Sequence, residues 1–195
     1  VMMQSALLPG WLRMVWAAAL VLVALAHLKH VITMRGQRRW WHTGHTVMAA
    51  GMALMYLLPA MDHPVLYQAG LAFYVAAVAA LAATTVTNWR EEGVLNPLWV
   101  ATTIDMVAMA YMLLPARTPV LTAVFVVYLA GQAVAWSLGL WSRVPVLAPV
   151  PAGGEGAAGS PASSAVVGLT AHTSPVVLAS LAVMAAGMAY MLLAM

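Results

Sequence analysis

His42-Thr43-Gly44-His45-Thr46-Val47-Met48-Ala49-Ala50-Gly51-Met52-Ala53-Leu54-Met55-Tyr56-Leu57-Leu58-Pro59 is the stretch on which the fold turns. Beyond its two histidines and two threonines it is apolar, and it closes on a proline, which cannot continue a helix. His42, His45, Met48, Met52 and Met55 follow one another at spacings of three or four, which puts them near one face of a single helix. A helix of about 20 mostly apolar residues crosses the hydrocarbon core of a bilayer. The stretch therefore predicts a transmembrane helix over 41–59 with a stripe of imidazoles and thioethers along it.

Working outward, the last part of this phrase recurs twice. Gly51-Met52-Ala53-Leu54-Met55-Tyr56-Leu57-Leu58 is matched by Ala108-Met109-Ala110-Tyr111-Met112-Leu113-Leu114 and by Gly187-Met188-Ala189-Tyr190-Met191-Leu192-Leu193. Each copy has a further Met upstream: Met48, Met106 and Met184. Apolar runs without the phrase alternate with those that carry it, so the sequence predicts six spans over 11–34, 41–59, 65–88, 97–115, 120–141 and 175–195. The expected fold is an all-α integral membrane protein of three helical hairpins, each with one Met-rich helix facing a shared centre. Charged or Pro-bearing breaks separate the first five spans. Residues 142–174 are rich in Pro, Gly, Ala and Ser, and read as a flexible linker.

Composition agrees. Of 195 residues, 64% are hydrophobic and 7% charged, too little charge to cover a water-soluble surface. No Cys is present, which excludes disulfides, thiolate metal sites and thiol catalysis. Eight Lys and Arg are too few and too scattered for a nucleic-acid surface. Their placement gives orientation instead. Arg35, Arg38, Arg39, Arg90 and Arg143 fall after odd-numbered spans, with Lys29 just before the first of these loops, against Arg13 and Arg117 on the other side, so the positive-inside rule puts both termini outside a bacterial plasma membrane. Trp11, Trp40, Trp41, Trp89, Trp99 and Trp141 fall at span ends and read as interfacial anchors. Ala24-Leu25-Ala26 ahead of His27 imitates a signal-peptide cleavage site, but the segment is read as a retained first span.

The chemistry rests on the 15 Met and six His. A thioether is a soft, uncharged ligand that suits Cu(I) and costs little to desolvate in lipid. Stripes at Met48, Met52 and Met55, at Met106, Met109 and Met112, and at Met184, Met188, Met191 and Met195 would line one seam, with small residues between them allowing close approach. The bland alternative is that Met merely packs, as it often does in cores. His27, His30, His42, His45 and His172 gather at the cytoplasmic end, with Asp105 at the repeat position of Met48. An ionisable residue inside a span is a functional candidate by default, so Asp105 is expected to accept from His45 or to support a metal-bound histidine. Asp62-His63 on an outer loop is a weak pair, and Glu91 and Glu92 read as a solvated loop. Ser163, Ser164 and His172 make no triad, and no phosphate loop or zinc-protease motif appears.

The His-x-x-Met-x-x-x-Met-x-x-Met stripe at His45, Met48, Met52 and Met55 resembles an actinobacterial family of Met/His-rich multi-span membrane proteins catalogued as a domain of unknown function, which implies topology but no activity. In chemistry rather than ancestry, Met48-x-x-x-Met52 and Met184-x-x-x-Met188 are similar to the Met rings of eukaryotic copper-uptake transporters. Span 4 departs from that spacing with Met106-x-x-Met109.

Three functions remain open at this level. The first is a Cu(I)-binding membrane protein for transport, delivery or storage, with a His42, His45, Met48 and Asp105 site, a Met path above it, and a copper-carrying protein or a larger membrane complex as partner. The second is a haem or electron-transfer subunit with His27 and His45 as axial ligands. The third is an accessory or assembly subunit without chemistry of its own. An enzyme acting unaided is the least favoured class.

Overall fold

The computed structural model describes residues 9–58, 62–93, 95–144, 169–170 and 174–194. Within them are six α-helices: α1 Gly10–Thr33, α2 Gln37–Leu57, α3 Pro64–Glu92, α4 Pro97–Met112, α5 Pro119–Ser137 and α6 Pro175–Ala194. A single 3-10 turn, Leu140–Arg143, follows α5. Helix starts follow local chemistry. Proline opens α3, α4 and α5, where its missing N–H costs nothing. At α4 the Asn96 side chain also accepts from the Leu98 N–H at 3.0 Å. Gly93 ends α3 in the left-handed region, with φ of 71°.

Four helices, α1, α3, α5 and α6, are long and apolar enough to cross a bilayer. Their outward residues suit lipid, for Leu22, Ile32, Val65, Val120 and Val127 are all exposed. The predicted spans 2 and 4 are different. Helix α2 starts four residues before the predicted span and takes in Gln37, Arg38 and Arg39, which lower its mean hydropathy. Helix α4 stops at Met112 after 16 residues, three residues short of Pro115. Each turns a continuous face of buried residues into the bundle, from Trp41 to Tyr56 on α2 and from Leu98 to Met112 on α4, so neither needs to present an apolar face all round. Helix α3 instead overruns its expected end by a turn, reaching Glu92.

Helix α1 packs chiefly on α2, α3 on α4 and α5 on α6, with further contacts of α1 on α6 and of α2 on α4 and α6. One end of the bundle is tied by polar contacts. Trp99 Nε1 donates to the Gln37 side chain at 3.2 Å, Arg38 donates to Thr170 at 2.6 Å, and Asn96 Nδ2 donates to the Leu169 carbonyl at 2.8 Å. The starts of α2 and α4 and the approach to α6 thus lie together. At the other end Arg13 donates to the Tyr56 carbonyl at 2.9 Å. Leu169 and Thr170 fall in the expected linker, yet both are buried and held by these bonds. The rest of that linker from 145 to 168, with Ser163 and Ser164, and residues 171–173, with His172, lie outside the described residues, as does Met195.

The expected tryptophan belt is corrected in part. Trp11 and Trp40 are each 68% exposed, as anchors should be, but Trp41 and Trp99 are each 1% exposed and belong to the core. Their indole rings are covered by α1, α5 and the bundle end rather than by headgroups. Trp41 packs against His27, His42, His45 and Trp136.

Candidate functional site

The methionines come first. Met48, Met52, Met106, Met109, Met112, Met184, Met188 and Met191 are all buried and belong to one hydrophobic core that also takes in Tyr56, Leu129 and Leu181. They face inward because each sits at the helical period that also places Ala49, Ala53, Ala108 and Ala189 in that core. Met55 departs from the expectation. It is only half-buried and lines an open apolar crevice of about 340 Å³ between α2 and α3, shared with Gly51, Tyr67, Gly70 and Tyr74.

Two of the small residues also admit neighbours beyond the expected Met-bearing helices. A Cβ on Gly51 would collide with the hydroxyl of Tyr74, which reaches across from α3 to the Val47 carbonyl. A Cβ on Gly187 would meet the Trp16 ring of α1 at 3.3 Å. These glycines admit aromatic rings from outer helices. The α4 methionines do reach α2: Met106 Cε lies 3.9 Å from the Cβ position of Gly44, and Met109 Cε 3.4 Å from that of Gly51.

At the tied end stands a cluster of imidazoles. His27, His42 and His45 are each 2% exposed or less. Nδ1 of His27 meets Nδ1 of His42 at 2.7 Å, and Nε2 of His27 lies 3.0 Å from the Ser180 hydroxyl of α6. His30 stacks on His42 with ring centroids 4.6 Å apart. Backbone carbonyls set two tautomers, since a carbonyl can only accept. His45 donates from Nδ1 to the Trp41 carbonyl and His30 donates from Nδ1 to the Ala26 carbonyl, both at 2.8 Å. In each ring the lone pair is therefore on Nε2 when the ring is neutral.

Asp105 does not join this cluster. It faces Tyr128 of α5, whose hydroxyl is within hydrogen-bonding reach of the carboxylate and lies 3.3 Å from the Ala101 carbonyl. Gln132 donates to that hydroxyl at 3.0 Å and accepts from Trp141 at 3.1 Å. The second carboxylate oxygen, Oδ1, has no hydrogen-bond partner among the described residues. Asp105 immediately precedes Met106, whose Cε lies against Gly44 of α2, and the step of about 100° between neighbouring helical residues carries it off that face. The expected Asp105–His45 hydrogen bond is not formed.

The proposed haem ligands also take a different arrangement. His27 and His45 lie face to face, with centroids 5.4 Å apart and 18° between the planes. Axial ligands instead direct ring nitrogens at a common iron from opposite sides of a porphyrin. Among the described residues no three His, Asp or Glu side chains come together as a metal site. That leaves two converging imidazole nitrogens and a thioether core as the donor set. His27 and Ser180, a contact across 153 positions of sequence, escaped the sequence reading as a pair because Ser180 carries no motif.

Residues 37–195 match the model of the family described as Domain of unknown function (DUF5134). The chain belongs to this family. The DUF5134 match takes in α2 to α6, with His42, His45, Ser180 and all three Met stripes, and begins after His27 and His30 of α1. No curated protein and no solved structure matches the chain.

Proposed function

We propose that this protein binds Cu(I) within a bilayer and serves copper transport, delivery or storage. In this reading six helices cross a bacterial plasma membrane as three hairpins. α2 and α4 are shielded by the others, both termini lie outside, and the histidine cluster lies at the cytoplasmic end. The observation that carries the proposal is the burial of eight thioethers from α2, α4 and α6 in one core. Thioethers and imidazoles, without thiolate or carboxylate, form a donor set for Cu(I) rather than for Zn²⁺ or Mg²⁺. The test is titration of the detergent-solubilised protein with Cu(I) against a chromophoric chelator. Binding by the native chain, weakened at least tenfold when Met52, Met109 and Met188 are all changed to Leu, supports the reading. No binding overturns it, and binding that the triple variant leaves unchanged overturns the part of it that runs through the methionines.

A second reading is favoured by α3, the least buried of the candidate spans, and by the small-residue crevice beside it. Such a face suits docking of another membrane helix, as in an accessory subunit whose methionines only pack. The mass of the natively extracted complex separates the two: a larger assembly without bound copper favours the second.

A further inference from the structure

The contact between two Nδ1 atoms, one from α1 and one from α2, has a definite proton arrangement. Ser180 has a single hydroxyl proton, and the Val177 carbonyl 2.8 Å away can only accept it. The Ser180 oxygen therefore accepts from Nε2–H of His27 at 3.0 Å. His27, held in that tautomer, turns the Nδ1 lone pair inward. His42 then donates its Nδ1–H across the 2.7 Å contact. The pair is walled by the Trp41 indole and stacked on by His30, and both rings are almost wholly buried.

We propose that Nδ1 of His27 and Nδ1 of His42 form a two-nitrogen clamp for a monovalent soft cation, Cu(I) or Ag(I), and that Ser180 is the positioning residue that presents the His27 lone pair. The proposal rests on the copper reading and names a site within it that uses α1 and α6, neither of which supplies a ligand to the histidine site expected from sequence. The ion takes the place of the bridging proton. His42 releases its Nδ1 proton and takes one on Nε2, so the ring stays neutral and the site gains only the charge of the ion. Metal–nitrogen bonds of about 2 Å set a linear N–M–N span of about 4 Å, so the rings must part by roughly 1.3 Å, within the reach of small side-chain rotations. A two-coordinate site suits a soft d10 cation, and Zn²⁺, which asks for four ligands, is poorly served by the described residues, among which no third His, Asp or Glu completes a metal site. A hydroxyl that orients a ligating imidazole is typically worth 10–100-fold in affinity.

The test is titration of the full chain, labelled with 15N-histidine in detergent, with Ag(I), followed by imidazole nitrogen resonances. The metal-free protein is expected to show His27 protonated at Nε2 and bare at Nδ1. One equivalent of Ag(I) should move the Nδ1 signals of His27 and His42 together. His27→Gln and His42→Gln should abolish this response, and Ser180→Ala should weaken it about tenfold, with Ser180→Thr close to native. Folding of each variant is checked by its helical circular dichroism and by the unchanged His63 signal. If Ag(I) binds to the native chain and to His27→Gln alike, yet is lost when the three methionines are changed to Leu, the clamp is refuted and the copper reading stands. Loss in the histidine variants with retention in the methionine variant upholds the clamp and refutes the Met path. No Ag(I) binding to the native chain overturns both.

Discussion

Gly51 and Gly187 hold the same place in the repeated phrase and meet different neighbours, so they should respond differently to one added methyl. At Gly51 the methyl must displace the Tyr74 hydroxyl and break its 3.2 Å bond to the Val47 carbonyl. Overpacking of this kind costs about 1–3 kcal/mol. Gly51→Ala is therefore expected to lower the thermal midpoint in detergent by several degrees. Adding Tyr74→Phe should recover part of the loss, although it removes a hydrogen bond, because the colliding atom goes with it. An equal or larger loss in the double variant would show that the clash is not the cause. At Gly187 the contact is with the edge of a Trp16 ring at 3.3 Å, and Gly187→Ala should change the midpoint less. The sequence marks both glycines as small-residue positions; which neighbour each admits depends on chains far away along it.

Among the elements, α4 is the shortest helix and depends most on its cap. Asn96 accepts from Leu98 N–H and, with its amide nitrogen, donates to the Leu169 carbonyl, so one side chain both starts α4 and pins the approach to α6. Asn96→Ala loses both and should cost about 1–2 kcal/mol, judged by thermal unfolding and by faster hydrogen exchange in the first turn of α4. Asn96→Asp keeps the cap but sets a carboxylate against a carbonyl oxygen. It should preserve the slow exchange of that turn while still lowering the midpoint. Identical behaviour of the two variants would mean that the link to Leu169 contributes nothing. Asn96-Pro97 is legible as a helix start from sequence alone. The bond to Leu169 is not, since its partners stand 73 positions apart and the sequence around Leu169 suggests only a linker.

For the whole molecule, the expectation concerns sidedness. The chain has no Cys, so single cysteines report position without background. Asp62 precedes α3 and Glu91 lies in its last turn, and both are exposed. With both termini outside, Asp62→Cys in intact cells should react with a membrane-impermeant maleimide and Glu91→Cys only after permeabilisation. The opposite pattern would invert the topology, and labelling of both from one side would remove α3 from the membrane.

What the sequence by itself determined is the class of molecule. Apolar runs, proline stops and the sparse charge leave lipid as the only solvent for most of this surface, and the period of the Met phrase decides which helix face turns inward. Both are local properties, written in the order of neighbouring residues. Tertiary structure alone decided the partners. It turned Asp105 to Tyr128 instead of His45, moved Met55 to a crevice, drew Trp41 and Trp99 into the core, and set Ser180 against His27. The reason is physical: helix rotation and crossing fix side-chain contacts to within an ångström, and they are set by the packing of all the helices together, which no single segment encodes.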